Sequence, residues 1–181
     1  MKTIRIYFAF FFFILIFSQT VFSWSNRKTL KELVNSAPLI VFGTVLEINP
    51  QIENYLGHDD FIITYVKFFV HTFFKGSNSI QILCIKIPGG HIGDRTITGE
   101  RSFNLKNNEE ALLFLNPIDD NYYGIYSISG KLSVEKKEDG NYVDCSLLQE
   151  DEISKYGPRS TFKFVDIQNR INGYLEKREG E

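Results

Sequence analysis

The sequence predicts a mainly β protein: a small closed barrel with a short helix before it and an amphipathic helix after it. Three observations predict this. Phe61 to Phe74 is a run of about 14 residues dense in aromatic and β-branched types, against a usual strand of about 5–6. A strand that long must bend, and bent long strands are a feature of small closed barrels. Shorter runs of the same kind follow, separated by Gly, Pro, Asn and Asp, and make six or seven strands in a meander. Near the end Phe164, Ile167, Ile171 and Leu175 recur three or four apart, which is helical spacing. Closing the sheet removes its edges, so a barrel is favoured over an open sheet.

The elements follow in order. Met1 to Ser23 reads as a signal peptide: Lys2 and Arg5, an apolar run from Ile6 to Phe17, then Ser18, Gln19 and Thr20. Val21 and Ser23 place small residues before a cut after Ser23, with Ser25 as second choice. An uncleaved anchor would need about 20 apolar residues, a length reached only by counting through the polar break. Residues 24–181 then form one domain. Leu30, Leu33 and Val34 mark a short helix capped by Asn26 or Ser25 and ended by Pro38. Leu39 to Ile48 is a strand broken by Asn49-Pro50, and residues 51–60 are a polar loop. On the long strand Ile62, Thr64, Val66, Phe68 and Val70 face one way. Phe61, Ile63, Tyr65, Lys67, Phe69, His71 and Phe73 face the other, and one of the terminal helices is expected to cover that second face. Ile80 to Ile87 is stopped by Pro88-Gly89-Gly90, and His91 to Arg101 is a glycine-punctuated loop. Ala111 to Leu115 is a buried strand, Tyr122 to Ile128 and Leu132 to Lys136 are strands, and Asp139-Gly140 is a tight-hairpin signal before Tyr142 to Leu147.

Composition narrows the function classes. The full chain of 181 residues has a formal charge of -2, with 43% apolar and 23% charged residues. These values describe an ordinary globular protein and lack the basic excess of a nucleic-acid binder. Losing Lys2 and Arg5 takes the charge to about -4. Export and a mildly acidic surface point to an envelope or extracellular protein as partner, with no nucleic acid and no membrane anchor after cleavage.

Val41-Phe42-Gly43-Thr44-Val45 precedes the long strand ending Lys75-Gly76. Ile85-Lys86-Ile87-Pro88-Gly89-Gly90, Gly99, Phe103, Glu110-Ala111-Leu112-Leu113-Phe114-Leu115 and Gly130-Lys131 follow. From about Leu30 to Val134 this order resembles a group of exported bacterial proteins of unassigned activity. These resemble in turn the barrel superfamily of tissue inhibitors of metalloproteinases and netrin-like modules, an OB-type barrel. The resemblance implies a fold and, by analogy only, an inhibitor-like role. Those inhibitors chelate the protease zinc through an N-terminal cysteine. The cut proposed here leaves Trp24 or Asn26 at that end, so that mechanism does not carry over. The bacterial relatives also read Gly-Glu before the Leu-Leu-Phe-Leu strand, where this chain has Asn108-Glu109-Glu110.

Cys84 and Cys145 are the only thiols. An exported setting permits a disulfide that closes a loop of about 60 residues, worth roughly 4 kcal/mol; the alternative is two separate thiols. His58-Asp59-Asp60 and His91 with Asp94 gather metal-ligand types, but two loop pairs do not make the three or four converging ligands of a zinc site. No Gly-x-Ser-x-Gly elbow and no Cys-His pairing suggests a nucleophile. Pro88-Gly89-Gly90-His91-Ile92-Gly93 lacks the Lys-Ser/Thr ending of a phosphate loop and reads as a barrel corner. The expected contact elements are this loop (Pro88, Gly89, Gly90, His91, Gly93 and Gly99) and the mature N-terminus. The leading expectation is a non-enzymatic exported barrel acting by protein contact, without cofactor or metal. The alternatives are a small-ligand carrier using the barrel interior, and a metal-dependent hydrolase using His58 or His91.

Overall fold

The computed structural model describes residues 27–76, 80–98, 103–149 and 160–179. The expected signal segment 1–23, Gly99 and the expected caps Ser25 and Asn26 lie outside them. The described residues are mainly β, with one short helix near their start and a longer one near their end. Among the described residues no helix is long and apolar enough to cross a membrane.

Helix α1 is Leu30–Ser36. Its cap is Thr29, not the residues before it. The Thr29 hydroxyl accepts from the Glu32 N–H, and the Glu32 carboxylate accepts from the Thr29 N–H. This reciprocal pair satisfies two otherwise orphaned donors. Thr29→Ala should cost about 1 kcal/mol, read from the urea midpoint.

Strand β1 is Leu39–Tyr55 and β2 is His58–Lys75. The predicted break at Asn49-Pro50 does not occur. Pro50 pairs with Thr64, and the ladder runs on to Tyr55 and His58. β1 pairs with a second neighbour only from Leu39 to Thr44, so beyond that point it borders β2 alone. A proline is tolerated on such an edge because no ladder bond is asked of its nitrogen there. Leu56 and Gly57, with φ of 52° and 78°, make the tight turn. The expected loop over 51–60 is therefore the end of a long hairpin.

Strands β3 (Ile82–Pro88), β4 (Gly90–Ile92) and β5 (Arg95–Ile97) come next. They are followed by β6 (Glu110–Pro117), β7 (Tyr122–Ile125), β8 (Lys131–Lys137), β9 (Gly140–Asp144) and β10 (Thr161–Lys163). Among the described residues the main sheet has eight strands in the order β1-β2-β3-β7-β6-β8-β9-β10, and β1 also pairs with β6. The pairings thus return to their starting strand through β1, β2, β3, β7 and β6. This is not the expected meander. β7 lies between β3 and β6 and runs parallel to β3, with Cys84 opposite Tyr122 and Ile85 opposite Tyr123.

Two apolar clusters lie on opposite faces of this sheet. One joins Val41 and Val45 of β1, Val66, Phe68 and Val70 of β2, Leu83, Ile85 and Ile87 of β3, and Leu113 and Leu115 of β6. The other joins Leu33 and Val34 of α1 to Ile40, Leu112, Phe114 and Leu132, and to Ile167 and Ile171 of helix α2, Phe164–Glu179. β6 serves both, so Ala111 to Leu115 are all fully buried. That explains an unbroken apolar run in place of alternation.

The expected α2 stripe is seated as predicted, with Phe164 4.5 Å from Phe42 and 6.5 Å from Phe74 between ring centres. The cover it provides lies over β9 and β10 and reaches Phe42 of β1 and Phe74 at the end of β2. Tyr65, Lys67, Phe69 and His71 on the outer face of β2 stay exposed or half-buried. Phe73, expected on that outer face, packs against the inner cluster instead. Register shifts at Ile40/Val41 and Phe42/Gly43 turn the strand there. Asn108 takes φ 64°, a conformation that glycine serves best and asparagine tolerates.

Candidate functional site

The glycine-rich segment expected as a loop is a hairpin. β4 and β5 pair Gly90 with Ile97, His91 with Thr96 and Ile92 with Arg95 across a turn at Gly93, φ 57°. Its base is held to β2. The Gly89 N–H donates to the Ile62 carbonyl at 2.8 Å, and the Thr64 hydroxyl donates to the Gly89 carbonyl at 2.7 Å. A Cβ on Gly90 would lie 2.3 Å from Thr64 Oγ1, so this crossing admits only glycine.

The far end of the hairpin meets the tip of the β1–β2 ribbon. Arg95 Nη2 donates to the Asp60 carbonyl at 3.1 Å. His91 Nδ1 lies 2.9 Å from Thr96 Oγ1. Tyr55 and Phe61 stack at 5.2 Å behind the turn. The two tips therefore form one rim, carrying His58, Asp59 and Asp60 from one hairpin and His91, Asp94 and Arg95 from the other. No group of three or more His, Cys, Asp or Glu converges as metal ligands among the described residues. Leu56 stands at the outermost point, 82% exposed and in the left-handed conformation. That conformation costs a non-glycine residue roughly 1–2 kcal/mol, and this leucine gains no burial in exchange.

Beside the rim lies a polar cluster that the sequence reading missed. Tyr65 Oη donates to Glu53 Oε1 at 2.6 Å, and Lys86 Nζ lies 3.4 Å from Glu53 Oε2. The same ammonium sits 5.4 Å from the Tyr65 ring centre and 6.0 Å from that of Tyr122. The Tyr65 hydroxyl bond holds the Glu53 carboxyl below the usual range, and Lys86 adds to this. Burial, then donation to Glu53, pushes the Tyr65 hydroxyl up. Burial works against the Lys86 charge, but contacts with Tyr65 and Glu53 outweigh it and raise its pKa. Tyr65 and Lys86 alternate outward on paired strands, a signal that was readable. Glu53 was hidden because its segment looked like a loop.

Cys84 and Cys145 are both free thiols. The expected bridge is corrected by topology: β3 and β9 are four strand-to-strand steps apart in the sheet order, each about 4.8 Å. A disulfide needs Cα atoms within about 7 Å. Cys84 is half-buried beside Lys67, whereas Cys145 is fully buried in the cluster under the helices. Burial pushes the Cys145 thiol up to about 12, with Asp144 adding to the shift. We expect thiol titration to count two groups in the unfolded protein. In the native protein at pH 8 only Cys84 should react promptly, because Cys145 is both shielded and starved of thiolate.

His71 lies far along β2 from the rim. Its Nε2 is 2.8 Å from Thr44 Oγ1, and Phe42 and Phe69 flank its ring at 5.5 and 5.3 Å. Comparison with protein-family models and with curated proteins finds no match to this chain.

Proposed function

We propose that this chain is an exported, non-enzymatic domain whose strands β1, β2, β3, β7 and β6 close into a small OB-type barrel, and that it acts through protein contact at the hairpin rim. The returning order of strand pairings supports the barrel. Phe68, Leu83, Ile85, Leu113 and Leu115 are fully buried between those strands, which leaves the interior to side chains and favours the rim over an internal ligand.

One observation carries the contact role. Leu56 is held in a costly backbone conformation at the tip of a projecting hairpin with its side chain in solvent. Strain kept without a packing return is a mark of function. Asparagine suits the same turn better, so Leu56→Asn should leave stability unchanged or raise it by about 0.5–1 kcal/mol. The same change should abolish capture of the partner from an envelope extract by the immobilised protein. A Leu56→Asn protein that captures as the unmodified one does would remove the rim tip from the contact. Loss of capture together with loss of fold would show only that the turn is structural.

A further inference from the structure

A cavity of about 210 Å³ opens beside the rim, between the end of β3, strand β7 and the turn after β6. Its apolar lining includes Ile87, Phe103, Ile118 and Ile125. Gly124 also lines it. A Cβ there would stand 3.2 Å from Ile118 Cδ1, so a larger residue would narrow the space. Among the described lining residues Tyr55, Lys86 and Asn116 carry side-chain hydrogen-bond donors, and Lys86 is the charged one; Lys86 and Asn116 flank the apolar lining from β3 and β6.

Lys86 and Asn116 both have capacity to spare. The ammonium offers three hydrogens. It reaches Glu53 at 3.4 Å and bonds the Tyr65 side chain, which leaves one hydrogen over, and the Tyr65 and Tyr122 rings hold the charge in place. The Asn116 amide donates to the Pro117 carbonyl at a similarly long 3.4 Å. A positive donor and an amide at the edge of an apolar hollow suit a ligand with an anionic acceptor at one end and an apolar body. Water occupies roughly 30 Å³ per molecule, so the space matches a ligand of about seven to ten heavy atoms.

We propose that this cavity binds a small apolar carboxylate, its body against Ile87, Phe103 and Ile125 and its carboxylate on Lys86 and Asn116. Two sources share that chemistry: a free acid and the C-terminal residue of a peptide. The site is independent of the contact role of Leu56 and stands or falls separately from it.

The test is an NMR titration of the isotope-labelled protein at pH 7 with phenylacetate and with its neutral amide. The acid should shift the backbone amides of Ile87, Gly124 and Ile125. It should bind at least about tenfold more tightly than the amide, the worth of one hydrogen bond to a charged group. In Lys86→Met that preference should vanish while any weak binding of the amide persists. An N-acetylated peptide ending in phenylalanine, run beside the free acid, assigns the source by whichever binds more tightly. Equal affinity of acid and amide in the unmodified protein would overturn the proposal, as would shifts confined to other parts of the chain. The acid-against-amide comparison needs no substitution, so it decides the matter even if Lys86→Met does not fold.

Discussion

Gly43→Ala is expected to cost about 3 kcal/mol or more, a large share of the 5–15 kcal/mol that holds an ordinary domain together. Gly43 lies in β1 where that strand pairs with Val70 on one side and Ala111 on the other. A Cβ there would fall 2.0 Å from the Phe69 carbonyl oxygen and 2.8 Å from Phe68 Cε1. The first of these is backbone, so no rotamer change removes it, and β1 and β2 must separate. The residue is required for closeness of approach and not for an unusual φ. Gly173 in α2 supplies the contrast, since a Cβ there meets nothing within 4 Å. Gly173→Ala should stabilise by about 0.5–1 kcal/mol through helix propensity. Urea unfolding of both variants beside the unmodified protein measures the difference.

Phe68→Ala should be as damaging, at about 3–5 kcal/mol. Phe68 is fully buried among Val41, Leu83, Ile85 and Leu113, on the face shared by the strands whose pairings return to β1. Its removal costs the transfer energy of the ring and leaves a hollow that strands tied on both sides cannot collapse to fill. Phe68 is also one of the two groups that a Cβ on Gly43 would strike, so the two substitutions should not add. In a Phe68→Ala background Gly43→Ala should cost less than it does alone. It should still cost something, because the Phe69 carbonyl stays where it is. Strict additivity would mean that the ring and the glycine do not share the same space.

Much of this architecture is legible in the residues. The Ala111 to Leu115 run reads as a short buried strand. The spacing of Phe164, Ile167 and Ile171 defines the buried stripe of α2, and Asp139-Gly140 marks its hairpin. What stays hidden has physical causes. Pro50 looks like a strand end because a sequence does not tell which strands are edges, and that one misreading removes Tyr55, Glu53 and the Leu56 turn from view. The glycines between Gly89 and Gly93 look like a loop because glycine marks turns. Here Gly90 serves close packing on Thr64 instead. The parallel pairing of β7 with β3 depends on a crossover that no local pattern encodes. The thiol pairing failed for the same reason: alternation shows which face a cysteine takes, but not how many strands separate two of them.

The account rests on the strands meeting at both ends of the β1-β2-β3-β7-β6 series around a filled interior. The most direct test is NMR on the labelled protein, looking for backbone proton contacts across two pairings at once. One is the antiparallel pair of β1 with β6, at Ile40–Phe114 and Phe42–Leu112. The other is the parallel pair of β3 with β7, at Cys84–Tyr122 and Ile85–Tyr123. Cross-strand contacts at both, with slow amide exchange along β6, are the predicted result. Contacts at one and free exchange with solvent at the other would mean an open sheet and contradict the account.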